Sequence, residues 1–220
     1  MSTYNWRHVE EQTLSDIIDL EWAMFHEVQS LDGPAACQQD PRTFRVMRSS
    51  QLASWNQEVA ASYLDDLKKA RDRGRNLMTE KYARMMEYTA PCEYRRIAPN
   101  VRAVDQEAAP LIERLSDLSV RSMEELVAKY PRVGGQGRPV RAWDDDRYNT
   151  SFETYNRGEL STYSVNTLQL LEAHYLELVA DGINPAQLIL EHTVTSQGLP
   201  SLEAAEAALE ARARRAAQSS

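Results

Sequence analysis

Cysteine is scarce. The chain has two, Cys37 and Cys92, with neither the number for a disulfide framework nor the spacing of a metal site. Positive charge is in deficit: 25 lysines and arginines face 33 aspartates and glutamates, a formal net charge of -8. That balance lacks the field that nucleic acid or an anionic membrane requires, so neither is expected as a partner. No apolar run approaches a membrane span. MSTYNWRHVEEQ has no basic start followed by an apolar stretch, so no signal peptide is expected, and the expected location is a reducing cytoplasm. Alternation of apolar and polar residues never persists, which leaves no strand signal. None of His8, His26, His174 and His192 follows a glutamate by three positions, so the helical carboxylate–histidine spacing of di-iron bundles is missing. Gly134-Gly135-Gln136-Gly137 lacks the strand and the Gly-Lys-Ser/Thr of a phosphate loop and reads as a turn. No metal and no cofactor are expected.

What is present is helical periodicity. Leu14, Ile17, Ile18, Glu21, Phe25 and Val28 recur at helical spacing after a cap at Thr13 or Ser15, with Glu21 unusual on that apolar stripe. Asp32-Gly33-Pro34 stops this helix, and Asp40-Pro41 opens a short one over Phe44 to Leu52. After Ser54-Trp55-Asn56, Asn56 caps a helix burying Val59, Tyr63, Leu67 and Ala70, and Gly74 ends it. Met78, Tyr82, Met85 and Thr89 form the inner face of the next helix, closed by Ala90-Pro91. Residues 91–103 read as a connector. A helix from about Val104 to Lys129 follows, with Val104, Ala108, Leu111, Leu115, Leu118 and Ser122 on one face and a kink at Pro110. Residues 130–141 read as a loop. Thr150 and Glu153 fit a capping box for a helix to Leu160. Ser164 then caps a helix burying Leu168, Leu171, Tyr175 and Leu178, which Gly182 ends. Asn184-Pro185 opens another, closed by Gly198-Leu199-Pro200, and Ser201 caps an alanine-rich tail with Leu202, Ala205 and Leu209 inside.

The punctuation repeats. Shifting Phe44 onto Phe152 brings Leu52 onto Leu160, Trp55 onto Tyr163, Gly74 onto Gly182 and Asn76 onto Asn184. The same shift brings Gln51 onto Glu159 and Ser54 onto Thr162. The expected fold is a single all-α domain over 1–220. It is a helical bundle of two pseudo-repeated halves, 13–90 and 104–198, plus a tail helix over 200–220. A cleft between the halves is the default ligand site.

Three polar clusters carry the candidate chemistry. The first is Cys37, Gln38, Asp40, Arg48, Gln51 and Trp55. An arginine facing the core with Phe44 suits a carboxylate or phosphate, or else forms a buried ion pair with Glu21. The second is Arg75, Asn76, Glu80, Lys81 and Arg84. Glu80 and Arg84 stand four apart, as in a surface salt bridge, while burial of Lys81 or Glu80 makes either a candidate general base. The third is Glu153, Tyr155, Arg157, Glu159 and Tyr163. Here Glu159 and Arg157 suit the two charges of a zwitterion with the tyrosines as walls or proton donors; the alternative is a capped helix that packs its tyrosines.

EWAMF from Glu21, CQQD from Cys37, MRSSQ from Met47, GRNLMTEKYARMM from Gly74 and TSFETYNRGELSTYS from Thr150 together resemble a bacterial and fungal family grouped as domain of unknown function 4125. Where members often carry Asn-x-Gly-Gly after the first helix, this chain has SLDGP, so nothing carries over to that loop. The resemblance implies a small cytoplasmic all-helical protein defined more by its polar strings than by its apolar stripes. It brings no activity with it.

The expected function is a cofactor-free cytoplasmic enzyme acting on a small, polar, amino-acid-like metabolite between the two halves. Arg48 and Arg157 would hold the anion and Glu159 or Glu21 the cation. Lys81, Glu80, Tyr155, Tyr163 and Glu159 are the candidates for catalysis, with Trp55 as a wall. Gln51, Cys37, Gln38, Arg75 and Arg84 complete the candidate substrate contacts. The alternatives are a non-catalytic ligand sensor or helical interaction module, whose polar groups would be paired internally, and a metal-dependent helical oxidase.

Overall fold

In the computed structural model, which describes residues 9–28, 36–146 and 149–218, the described residues form eleven α-helices and no strand. They are α1 (Glu11–His26), α2 (Pro41–Leu52), α3 (Gln57–Asp72), α4 (Leu77–Thr89), α5 (Pro91–Ile97), α6 (Ala108–Lys129), α7 (Pro131–Gly134), α8 (Phe152–Leu160), α9 (Val165–Ala180), α10 (Pro185–Ser196) and α11 (Leu202–Gln218). The starts are fixed by short polar side chains. Asp40, Asn56, Asn76, Ser151, Ser164 and Asn184 each accept a hydrogen bond from the N–H three residues on, satisfying a donor the helix itself leaves free. Three stops depend on a left-handed backbone, at Gly74 (φ 66°), Gly182 (φ 74°) and Gly198 (φ 88°). After each glycine the next N–H reaches back to the helix, Arg75 to the Ala70 carbonyl, Ile183 to the Leu178 carbonyl and Leu199 to the Val194 carbonyl, which closes the exposed end.

Several boundaries differ from expectation. α1 starts at Glu11 without a side-chain cap, and Thr13 is buried inside it. α2 starts at Pro41, as the Asp40-Pro41 cap announced, so the helix includes residues ahead of Phe44. The 91–103 connector contains α5 and a 3-10 turn, Ala98–Asn100, and the 130–141 loop contains α7. α6 starts at Ala108, not Val104, because the Asp105 carbonyl accepts the Ala108 and Ala109 N–H groups. Pro110 therefore falls in the first turn, where no N–H is needed, and not at a break in a longer helix. The cap of α8 is Ser151, one residue after Thr150, while Glu153 accepts the Ala142 N–H at 3.0 Å.

α1 packs on α2, α3 and α4, and α6 packs on α8, α9 and α10. The two groups meet through α3 on α9, α4 on α8 and α10 on α2. The main core runs through Ile17, Leu52, Tyr63, Leu67, Leu115, Leu168 and Leu178. A second, smaller core joins Leu126, Tyr130 and Val133 to Val194, Leu202 and Ala205, seating α11. Among the described residues no helix is long and apolar enough to cross a membrane.

Candidate functional site

Four charged residues sit on the buried faces of their helices. On α1, Glu21 shares the stripe of Ile17, Ile18 and Phe25, and it is 0% exposed. Arg48 is buried on α2, Lys81 lies between Met78 and Met85 on α4, and Glu159 lies next to Gly158 near the end of α8. Their exposures of 5%, 2% and 3% leave each dependent on protein partners, since an unpaired buried charge is costly. Gly158 allows the close approach: a Cβ there would lie 3.1 Å from the Lys81 carbonyl oxygen and from Met85 Cγ.

The partners are all present. The Arg48 guanidinium grips Glu21 with both arms, Nε to Oε2 at 2.6 Å and Nη2 to Oε1 at 2.5 Å. Its Nη1 donates to Gln51 Oε1 at 2.6 Å and to Glu159 Oε1 at 3.0 Å. Glu159 Oε1 also accepts from Gln51 Nε2 at 2.8 Å and from the Tyr163 hydroxyl at 2.8 Å. Its Oε2 accepts from Lys81 Nζ at 2.6 Å. The Tyr63 hydroxyl donates to Glu21 Oε1 at 2.7 Å. Lys81 Nζ lies 3.7 Å from the centre of the Tyr155 ring, a cation–π contact. The Tyr63 and Tyr163 rings meet at 4.7 Å, and Trp55 packs edge-on to them at 5.5 and 6.0 Å. Two cations thus face two anions in an enclosed, neutral cluster.

The cluster holds its protons firmly. Burial disfavours the charged forms of Arg48 and Lys81, but nearby carboxylates outweigh it, Glu159 and Glu21 for Arg48 and Glu159 for Lys81, and both pKa values rise. Burial likewise opposes the Glu159 charge, yet Arg48 and Lys81, with the Lys81 and Tyr163 hydrogen bonds, pull its carboxyl well below the usual range. Burial, then the facing carboxylates, raise Tyr63 and Tyr163.

The structure brings Glu21, Arg48, Gln51, Trp55, Lys81, Tyr155, Glu159 and Tyr163 together, and separates the other candidates. Gln38 donates its side-chain amide to the carbonyls of Phe25 and Val28, both at 2.9 Å, binding the next segment to the end of α1. Cys37 is in the 3-10 turn Ala36–Gln39, and its side chain lies outside the described residues. Arg75 takes Glu80 in a two-armed pair at 2.8 and 2.7 Å, in place of the expected Glu80–Arg84 bridge. Arg157 does not meet Arg48. It pairs with Glu113 and, at 3.3 Å, with Glu153.

Arg157 and Arg84 instead line a surface cleft of about 350 Å³ between α4, α6 and α8, with Glu87, Tyr88, Val104, Pro110, Ile112 and Glu113 among its walls. Arg84 donates to the Arg102 carbonyl, and its Nε is buried without a hydrogen-bond partner. Sequence reasoning placed Tyr63 only in the core and did not select Glu87, Tyr88 or Glu113. A tyrosine on an apolar stripe facing a buried glutamate was the one available signal for Tyr63. No group of three His, Cys, Asp or Glu side chains suited to a metal occurs among the described residues.

No curated protein and no solved structure matches this chain. The model of a family described as "Protein of unknown function (DUF4125)" matches residues 11–207, nearly the whole chain, and the protein belongs to that family.

Proposed function

We propose that the chain is a non-catalytic small-ligand-binding module, made of two helical halves of common plan held face to face by a cluster of fixed charges. Support for the common plan comes from contacts of the same kind in both halves. Gly74 and Gly182 end equivalent helices, and their separation of 108 is also that of Gln51 and Glu159. Ser54 Oγ donates to the Gln51 carbonyl and Thr162 Oγ1 to the Glu159 carbonyl, at 2.8 and 2.7 Å. The Asn76 amide reaches the Met24 carbonyl and Glu27, and the Asn184 amide reaches the Ser122 carbonyl and Glu125. In a twofold arrangement, equivalent residues touch only near the axis. Gln51 touches Glu159, and Trp55 packs on Tyr163.

The observation that carries the functional reading is a contrast in pairing. Each buried charge of the cluster has an opposite charge against it, whereas Arg84, on the wall of an open cleft, makes no ion pair among the described residues. A proton-transfer catalyst needs groups whose pKa lies near the working pH. The shifts of Arg48, Lys81, Glu159, Tyr63 and Tyr163 run the other way. The test is incubation of the purified chain with a metabolite extract, followed by mass spectrometry of the solution and of the protein fraction. Retention of a small molecule without its conversion is the expected result. Sustained consumption of a metabolite, abolished by Lys81→Met in a folded variant, contradicts it.

A further inference from the structure

We infer that the cleft between α4, α6 and α8 binds a free α-amino acid with an apolar side chain, its carboxylate on Arg84 and its ammonium on Glu87. The inference rests on the ligand-binding reading above and assigns that reading a site and a ligand class. A guanidinium has five N–H donors, and the hydrogen bond that Arg84 makes is to the Arg102 carbonyl. With Nε sealed off from any acceptor, the group is short of acceptors and has no carboxylate against it among the described residues. Glu87 is exposed, three residues along the same helix. It too makes no ion pair or hydrogen bond among the described residues, although the spacing would allow one to Arg84.

The cleft therefore presents one uncompensated charge of each sign. The other two charges on its walls, Arg157 and Glu113, are spent on each other. Val104, Pro110 and Ile112 supply apolar wall. A carboxylate alone would leave Glu87 unanswered, and an amine alone would leave Arg84 so. A phosphate dianion would face both Glu87 and Glu113. A zwitterion with a hydrocarbon arm meets all three features, and about 350 Å³ falls in the range of small-molecule sites.

The test uses the full chain in thermal unfolding and titration calorimetry. The probes are the apolar amino acids from L-alanine to L-tryptophan. For L-leucine and L-phenylalanine, the same skeletons lacking either the amine or the carboxylate serve as controls. At least one amino acid should raise Tm saturably, with both kinds of truncated analogue inactive. Arg84→Gln and Glu87→Gln should each weaken binding at least tenfold, Glu87→Gln with the ligand-free Tm unchanged, and Arg84→Lys should fall between. No saturable shift with any amino acid, equal binding of a truncated analogue, or unaltered binding in Glu87→Gln would overturn the assignment. If none binds while the metabolite extract yields another retained compound, the ligand class falls and the binding reading stands. If the extract shows turnover, the binding reading itself falls.

Discussion

Glu159→Gln removes one charge and almost no volume. Glu159 accepts from Arg48, Gln51, Lys81 and Tyr163. A glutamine keeps one acceptor oxygen and turns an NH₂ group towards donors 2.6–3.0 Å away, whichever way it is flipped. Arg48 retains Glu21. Lys81, 2% exposed, then has no carboxylate against it among the described residues and keeps the ring faces of Tyr155 at 3.7 Å and Tyr82 at 5.9 Å. Removing one member of a buried pair costs about 3–5 kcal/mol, because the other is left charged and dry. Against a typical domain stability of about 5–15 kcal/mol, the variant should be marginal. Urea unfolding followed by tryptophan fluorescence and circular dichroism gives the number. The double variant Lys81→Met/Glu159→Gln removes the orphaned cation as well, and it should recover about 2 kcal/mol relative to Glu159→Gln alone. A Glu159→Gln loss below about 1 kcal/mol, or a double variant less stable than that single one, would refute the reasoning.

The helix caps and the charges make further predictions. Asn76→Ala and Asn184→Ala each remove a helix cap and a tie to the opposing long helix. Each should cost about 1–2 kcal/mol, and by similar amounts in urea unfolding if the halves share a plan. The cluster's contribution to stability should also be flat across neutral pH. Glu159 is depressed in the folded state, so its contribution is full above the ordinary carboxyl value of 4.5 and is lost as pH falls towards its folded value. Lys81, Tyr63 and Tyr163 are raised, so theirs is full below the ordinary values of 10.5 and 10.0 and is lost as pH climbs. Tm against pH should therefore fall below about 4.5 and above about 10, with a shallower acid limb in Glu159→Gln.

Much of the local structure was legible because its causes are local. Asn56, Ser164 and Asn184 cap the helices their positions announced, and Gly74 and Gly182 end theirs, whereas the Asn76 cap was not read from the sequence. Glu21 on an apolar stripe required a buried cation, and Arg48 supplies it. Periodicity gives the face of a helix and not its neighbour, so Arg48 and Arg157 read as one site when they lie in two. Spacing suggested Glu80 with Arg84, but Arg75, on the turn before α4, reaches Glu80 with a two-armed geometry that Arg84 does not match. Pro110 misled because the start of α6 is set by the Asp105 carbonyl, a backbone contact without a side-chain signature. Tyr63 was legible as core and not as a donor, since a stripe does not distinguish a ring that ends in carbon from one that ends in a hydroxyl.

The central claim is that the cluster holds its charges at every pH where the protein works. The most direct test is a heteronuclear NMR titration of the Lys81 ammonium and the Glu159 carboxyl in the folded chain, from about pH 5 to pH 9. The account predicts that neither resonance moves through a protonation step in that range. A titration of either group within it would show a proton free to come and go, and the cluster would then be chemistry in waiting rather than a lock.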